Sequence, residues 1–202
     1  MDDFDRLDDD AFRLVLEKLS LQDLLSRRTI TGRFQSTIEL ICRAKLSLNL
    51  FSSTKVAECF HRLFPQVSAN DDLILDHEDQ SEPSVYTDLP LFFPNLQQLT
   101  VYHSQIDLPF LLDSWPNLTS LSLLLSHNND LSPLIWTRLA SMNSLTSVHL
   151  FSNSCTFPDQ LSFLSRVKHF SLINYASNTT KVLKQLSSNC SHLYLDHILS
   201  AK

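Results

Sequence analysis

Glycine is almost missing from this chain: Gly32 is the single one in 202 residues. Loops that cradle phosphates and turns that bind dinucleotides need several glycines, because the backbone must approach the ligand with no Cβ in the way. Both classes of site are excluded. Cysteine is scarce as well. Cys42, Cys59, Cys155 and Cys190 stand far apart with no C-x-x-C pair, so neither a disulfide framework nor a zinc knuckle is expected. No basic start followed by an apolar run marks a secretory signal, and no apolar stretch is long enough to span a bilayer. The glycosylation sequons at Asn117, Asn178 and Asn189 therefore read as chance matches. The expected location is a reducing compartment, cytoplasmic, nuclear or both. A global basic field is absent too: the net charge is -6, which argues against nucleic acid as a partner.

What the chain does have is apolar content, 43% of its residues, enough for a substantial core. The charge is uneven. Residues 46–93 hold 2 basic and 8 acidic side chains, whereas residues 1–45 hold 8 and 9 and residues 94–202 hold 6 and 5. The stretch from Asp71 to Asp88 reads as a solvated acidic loop.

The dominant pattern is a recurrence. Written L-x-x-L-x-L, it occurs as Leu96, Leu99, Val101; as Leu118, Leu121, Leu123; as Leu145, Val148, Leu150; as Val167, Phe170, Leu172; and as Cys190, Leu193, Leu195. Shorter L-x-L pairs stand at Leu46/Leu48 and Leu73/Leu75. The pairs start at 46, 73, 99, 121, 148, 170 and 193, so the spacing stays between 22 and 27 residues. The preceding residues recur as well, as Phe93-Pro94-Asn95, Trp115-Pro116-Asn117 and Met142-Asn143-Ser144. Helix-like stretches precede most strand signals, at 54–63, 108–113, 132–141, 159–164 and 180–186, with Asp159 and Thr180 placed as N-caps. A fixed period of this length marks an array in which each unit buries one face against its neighbours, and it favours a binding surface over an enzyme.

Residues 46–200 thus resemble the leucine-rich repeat family, which implies a solenoid of about six to seven irregular strand–helix repeats. The Asn or Cys that this family often places after the strand is met only by Asn153; the other positions hold Ser104, Ser126, Tyr175 and Ile198. Strand alternation turns the Leu, Val and Phe positions inward and the intervening residues outward. Three outward columns result: Gln98, Ser120, Ser147, His169, His192; then Thr100, Ser122, His149, Ser171, Tyr194; then Tyr102, Leu124, Phe151, Ile173, Asp196. The third is mostly large and apolar, and an exposed apolar stripe marks an interaction surface. Tyr102, Leu124, His149, Phe151, Ile173 and Tyr194 are accordingly the residues expected to hold a target protein on a concave face.

Residues 7–44 lie outside the period and read as three short helices. Asp8, Asp9 and Asp10 suit a first helical turn. Phe12, Val15, Leu16 and Leu19 form one apolar face. Ser20 with Asp23 makes a capping-box-like start for a second helix, and Phe34, Ile38 and Ile41 share one side of a third. About 38 residues are too few for a deep core, so this segment is expected to lean on the first repeat, on a partner, or on both.

Leu7, Leu19, Asp23-Leu24-Leu25 and Arg33 resemble the F-box motif, with Asp10 for its Glu, Phe34 for its Trp and Asp8 in place of its Pro. The expected domains are then an F-box-like segment, 1–45, and a leucine-rich-repeat domain, 46–202, in an α/β chain. The resemblance implies the substrate-recognition subunit of a cullin-type (SCF) ubiquitin ligase. The F-box would dock on a Skp-type adaptor, and through it a cullin, by Leu7, Asp8, Asp10, Phe12, Leu16, Leu19, Leu24, Leu25 and Phe34. The alternative is a repeat scaffold whose F-box has drifted away from the adaptor, a reading that Asp8 favours.

Chemistry of its own is not expected of this chain. Its eight histidines, at 61, 77, 103, 127, 149, 169, 192 and 197, show no spacing that forces three or four ligands together for a metal. Cys155 and Cys190 occupy structural positions without the electropositive pocket that activates a thiol. No catalytic residue, cofactor or metal is assigned.

Overall fold

The computed structural model describes residues 7–27, 32–65, 67–75, 84–102, 106–125, 132–152, 157–158, 161–173, 179–186 and 190–196. The expectations for Ser104, Ser126, Asn153, Cys155, Asp159, Tyr175 and Ile198, for the side chain of Thr180, and for His77, His103, His127 and His197 lie outside what is described. The chain divides into two compact units, Met1–Asn95 and Leu96–Lys202. The boundary expected at 45/46 falls inside the first.

The first unit opens with three helices, α1 (Asp9–Leu16), α2 (Leu21–Ser26) and α3 (Arg33–Ala44). Their starts follow from side-chain caps. Asp8 Oδ1 accepts from Ala11 N at 2.7 Å, and Ser20 Oγ accepts from Asp23 N at 3.1 Å; each satisfies an amide that the helix itself leaves without a partner. Gly32 precedes α3 at φ 78°, a left-handed conformation that glycine alone adopts without cost. Strand β1 (Ser47–Phe51) follows, then α4 (Thr54–Leu63), capped by Ser53, then β2 (Asp72–Ile74) and α5 (Ser84–Phe92). β1 and β2 pair in parallel, Leu50 opposite Leu73. Helix α5, which carries Pro90 inside it, was not expected from the sequence. Leu48 and Leu50 are the buried pair in β1, while Leu46 is 48% exposed; the pair expected at 46/48 is therefore shifted by two.

The helical segment leans on the strands that follow it, as its size required. Gln22 Oε1 on α2 accepts from Ile74 N on β2 at 3.2 Å. Lys45 Nζ reaches Asp71 Oδ1 at 2.5 Å, and Ser47 Oγ donates to the other oxygen of that carboxylate. Asn95 Nδ2 donates to the carbonyl of Arg43 at 2.9 Å.

The second unit alternates strand and helix: β3 (Gln98–Tyr102), α6 (Leu108–Ser114), β4 (Ser120–Leu125), α7 (Pro133–Ser141), β5 (Ser147–Ser152), a 3-10 turn at Ser162–Ser165, β6 (His169–Ile173), α8 (Thr179–Gln185) and β7 (His192–Asp196). The strands pair in parallel in chain order. Parallel strands need such crossovers, and their two faces are usually both covered. Leu96, Leu99, Val101, Leu118, Leu121, Leu123, Leu145, Val148, Leu150, Val167, Phe170 and Leu172 are all buried. Only the last repeat breaks the pattern: Cys190 is half-buried and Leu193 is 47% exposed.

A carbonyl spine marks each strand's start. The carbonyl of Gln97 accepts from the amides of both Thr119 and Ser120; that of Thr119 accepts from Thr146 and Ser147; that of Thr146 from Lys168 and His169; that of Lys168 from Ser191 and His192. Hydroxyls reinforce three of the four steps. Thr119 Oγ1 donates to Gln97 O, Thr146 Oγ1 to Thr119 O, and Ser191 Oγ to Lys168 O, at 3.1–3.3 Å. The sequence carries this feature as a hydroxyl two residues before the strand's first inward residue, at Thr119, Thr146 and Ser191.

Candidate functional site

The residues expected to bind partners fall on two surfaces, one on each unit. On the first, Leu7, Arg33 and Phe34 of the motif meet Asp9 and Phe12 in one structural knot. Arg33 Nη2 donates to the Leu7 carbonyl at 2.8 Å and pairs with Asp9 Oδ1 at 2.9 Å. Its guanidinium lies 4.4 Å from the centre of the Phe12 ring, and Phe34 meets Phe12 edge-on at 4.8 Å. One arginine thus holds the start of α1 against α3 by charge, hydrogen bonding and cation–π contact.

This knot sorts the nine residues expected at the adaptor. Phe12, Leu16 and Leu24 are buried in the unit's own core. Leu7, Leu19, Leu25 and Phe34 are half-buried, and Asp8 and Asp10 are exposed. Val15, expected on the inward face, is 41% exposed, and its neighbour Leu14 is 60% exposed. The inward face of α1 is therefore the i, i+4 pair Phe12 and Leu16, while Leu14 and Val15 are large apolar side chains left on the surface. Leu40 on α3 is exposed as well.

A cleft of about 580 Å³ lies between α2, α4 and β2 of this unit. At its rim His61 Nε2 meets Asp72 Oδ2 at 2.7 Å, and Asn49 Nδ2 donates to the other oxygen at 2.9 Å. Burial pushes the Asp72 carboxyl up, while the hydrogen bonds from Asn49 and His61 oppose that rise. Asp71 is buried and its neighbour largely so. The expectation of a solvated acidic loop is thus corrected at its first two residues, which fasten α4 and the start of β1 to β2.

On the second unit the strand register reproduces the expected columns, but the second is not outward as expected: Thr100 and Ser171 are buried, Ser122 and His149 are half-buried, and Tyr194 is exposed. Gln98, Ser120, Ser147, His169 and His192 are direct partners, as are Thr100, Ser122, His149, Ser171 and Tyr194. In the third column Leu124, Phe151, Ile173 and Asp196 are in register, Tyr102 ends β3, and the side chains of Leu124 and Asp196 lie outside the described part. The expected exposure of this column is overturned. Tyr102, Phe151 and Ile173 are each 6% exposed. The Tyr102 and Phe151 rings stand 5.4 Å apart although their strands are separated by β4, so the stripe packs on itself. Burial pushes the Tyr102 hydroxyl pKa up.

The first two columns remain polar, and toward the last strands they become rich in imidazole. The rings of His169 and His192, both exposed, stack at 4.7 Å with planes 14° apart. His149 is half-buried and hydrogen-bonded at both nitrogens, to Ser147 Oγ at 3.0 Å and to Ser171 Oγ at 2.9 Å. Burial first, and the neighbouring His169 second, pull the His149 pKa down. Tyr194 is 53% exposed.

Among the described residues no helix is long and apolar enough to cross a membrane. No family model, no curated protein and no solved structure matches this chain, so its function has to be argued from these residues and their geometry.

Proposed function

We propose that the chain is the substrate-recognition subunit of a cullin-type ubiquitin ligase, with α1–α3 docking a Skp-type adaptor and the strand–helix repeats holding a target protein. The observation that carries this reading is the knot around Arg33. The residues that match the F-box motif pack into one unit and leave Leu14 and Val15 exposed beside it. Exposed apolar side chains on a rigid helix are what a docking surface requires. Phe12, Leu16 and Leu24 then support the surface from within, and Leu7, Leu19, Leu25 and Phe34 border it. Asp8, where the motif has proline, holds φ at -67°, the value that proline itself imposes, so the chain's path onto α1 is compatible with the motif. In this role the protein makes and breaks no bonds. It raises the effective concentration of the target beside the transfer machinery.

The test is capture of a purified Skp-type adaptor by the full chain. The doubly substituted Leu14→Asp, Val15→Asp protein should keep its circular dichroism and lose at least about tenfold in adaptor affinity, the scale of a lost hot spot. Absence of adaptor binding by folded wild-type protein at micromolar concentration would overturn the proposal. It would favour the second reading, a repeat scaffold with a drifted F-box.

A further inference from the structure

The strands β5–β7 place three imidazoles on one polar face. His169 and His192 stack in the first column, and His149 stands in the second between Ser147 and Ser171. The ten positions of these two columns contain no Asp or Glu. Each supporting strand gives the same account. From β4 come Ser120 and Ser122, neither charged. From β5 come Ser147 and His149. From β6 come His169 and Ser171, with exposed Lys168 one residue ahead. From β7 come His192 and Tyr194, with half-buried Cys190 two residues before His192 and Asp196, whose side chain lies outside the described part, two residues after Tyr194.

Exposed imidazoles beside an exposed lysine, in two columns whose ten positions hold no Asp or Glu, offer donors and positive charge to an anion. Histidine is the side chain whose ordinary titration falls between pH 5 and 8. His169 and His192 are register partners on neighbouring strands, which brings their exposed rings into a stack at the strand spacing. The donors are spread over three strands; among the described residues no three His, Cys, Asp or Glu gather closely enough to hold a metal ion. A spread array suits several carboxylates along a chain better than one compact ion.

We propose that His169 and His192, with His149 behind them, form a proton-dependent docking patch for an acidic, Asp- and Glu-rich segment of the target protein. The patch rests on the reading of the repeats as the target-holding part of the molecule, and it names the chemistry of that target. Carboxylates laid against the stack favour the imidazolium form, so binding takes up protons and tightens as pH falls.

The experiment measures fluorescence anisotropy of a labelled oligoglutamate peptide with the full chain at constant ionic strength. Affinity should rise about tenfold between about pH 7.5 and about pH 6, the linkage expected for uptake of roughly one proton. The His169→Gln, His192→Gln double variant changes two exposed side chains and should fold normally, with the pH effect gone. Lys168→Gln should weaken binding at both pH values and keep the effect. An oligoglutamine peptide should not bind. A pH-independent affinity, or a pH effect that survives in the double variant, would overturn the patch; so would tighter binding of a phosphoserine peptide than of oligoglutamate. Adaptor capture is measured on the same preparations. Peptide binding lost with adaptor capture intact removes the patch alone. Adaptor capture absent with peptide binding intact removes the ligase reading and leaves the patch standing.

Discussion

Replacing Phe12 by alanine tests the knot that joins α1 to α3. The Phe12 ring is 1% exposed. Truncation removes about 150 Å² of apolar area, worth roughly 4 kcal/mol at ~25 cal/mol per Å². The edge-on contact with Phe34 adds about 1 kcal/mol, and the Arg33 guanidinium over the ring about 0.5–1 kcal/mol, because Arg33 is partly solvated. The denatured chain already hides some of this area, so the sum is an upper bound. A loss of about 3–5 kcal/mol is expected, the range of Phe→Ala changes in protein cores. Phe12→Leu keeps most of the volume and should cost about 1.5 kcal/mol or less. Urea unfolding followed by far-UV circular dichroism reads the total. Hydrogen exchange of the α1 and α3 amides assigns it, since those helices lose their common support first. A loss below about 1 kcal/mol for alanine, or no difference between alanine and leucine, would refute the burial on which the knot depends. The same geometry explains why an acidic substitution at Phe12 would report folding, and why adaptor docking is better probed at Leu14 and Val15.

Further consequences can be checked independently. The His149 pKa is lowered in the native state, so the unfolded chain takes up its proton first. Stability of the second unit should therefore fall as pH drops below about 6.5 and level off once the native imidazole protonates. Trp115 and Trp136, both buried in that unit, report it by emission in urea titrations, and His149→Gln should flatten the dependence. Burial raises the Cys42 thiol to about 11, whereas Cys59 is exposed. Iodoacetamide should alkylate Cys59 in the folded chain and Cys42 only after denaturation, as peptide mass mapping would show. Arg166 Nη2 donates to the carbonyls of Ala140 and Met142 at the end of α7. Arg166→Met should cost about 1–3 kcal/mol by removing both donations, although Met142 O still accepts from Leu145 N, and Arg166→Lys should not restore the two-point contact. Asp8→Ala should lower stability by about 1 kcal/mol through loss of the α1 cap, measurable in the same urea titrations.

The register of the second unit was legible because each inward pair is preceded and split by polar residues, so one alternation alone satisfies the pattern. In β1 it was not. Leu46, Leu48 and Leu50 alternate without a break, and period two cannot choose between overlapping pairs. Asn49 and Phe51 are buried too, which erases the contrast between faces. The anchoring of buried Asp71 and half-buried Asp72 is not legible locally because their partners, Lys45, Ser47, Asn49 and His61, lie 11–26 residues away. Composition reports charge, not who answers it. Helix α5 has an interior proline and no apolar stripe of helical period, so nothing local announced it. The covered third column is likewise a tertiary effect: two rings from strands two apart close on each other, and alternation says only that they share a side. On α1, Val15 satisfied the helical period, yet the core is narrow enough that Phe12 and Leu16 fill it.

The carbonyl spine gives the second unit a uniform grammar of joints. Each repeat hands two amides backward and offers one carbonyl forward, at Gln97, Thr119, Thr146 and Lys168, whatever its length between those points. Excising the residues from one such carbonyl to the next joins chemically equivalent ends, and duplicating them adds a step of the same form. Insertions, by contrast, are free to vary in the return segments, where these repeats already differ by five residues, 22 against 27. The unit's length is therefore an evolvable quantity, and the breadth of the surface it presents can grow or shrink by whole strands without a new fold being invented.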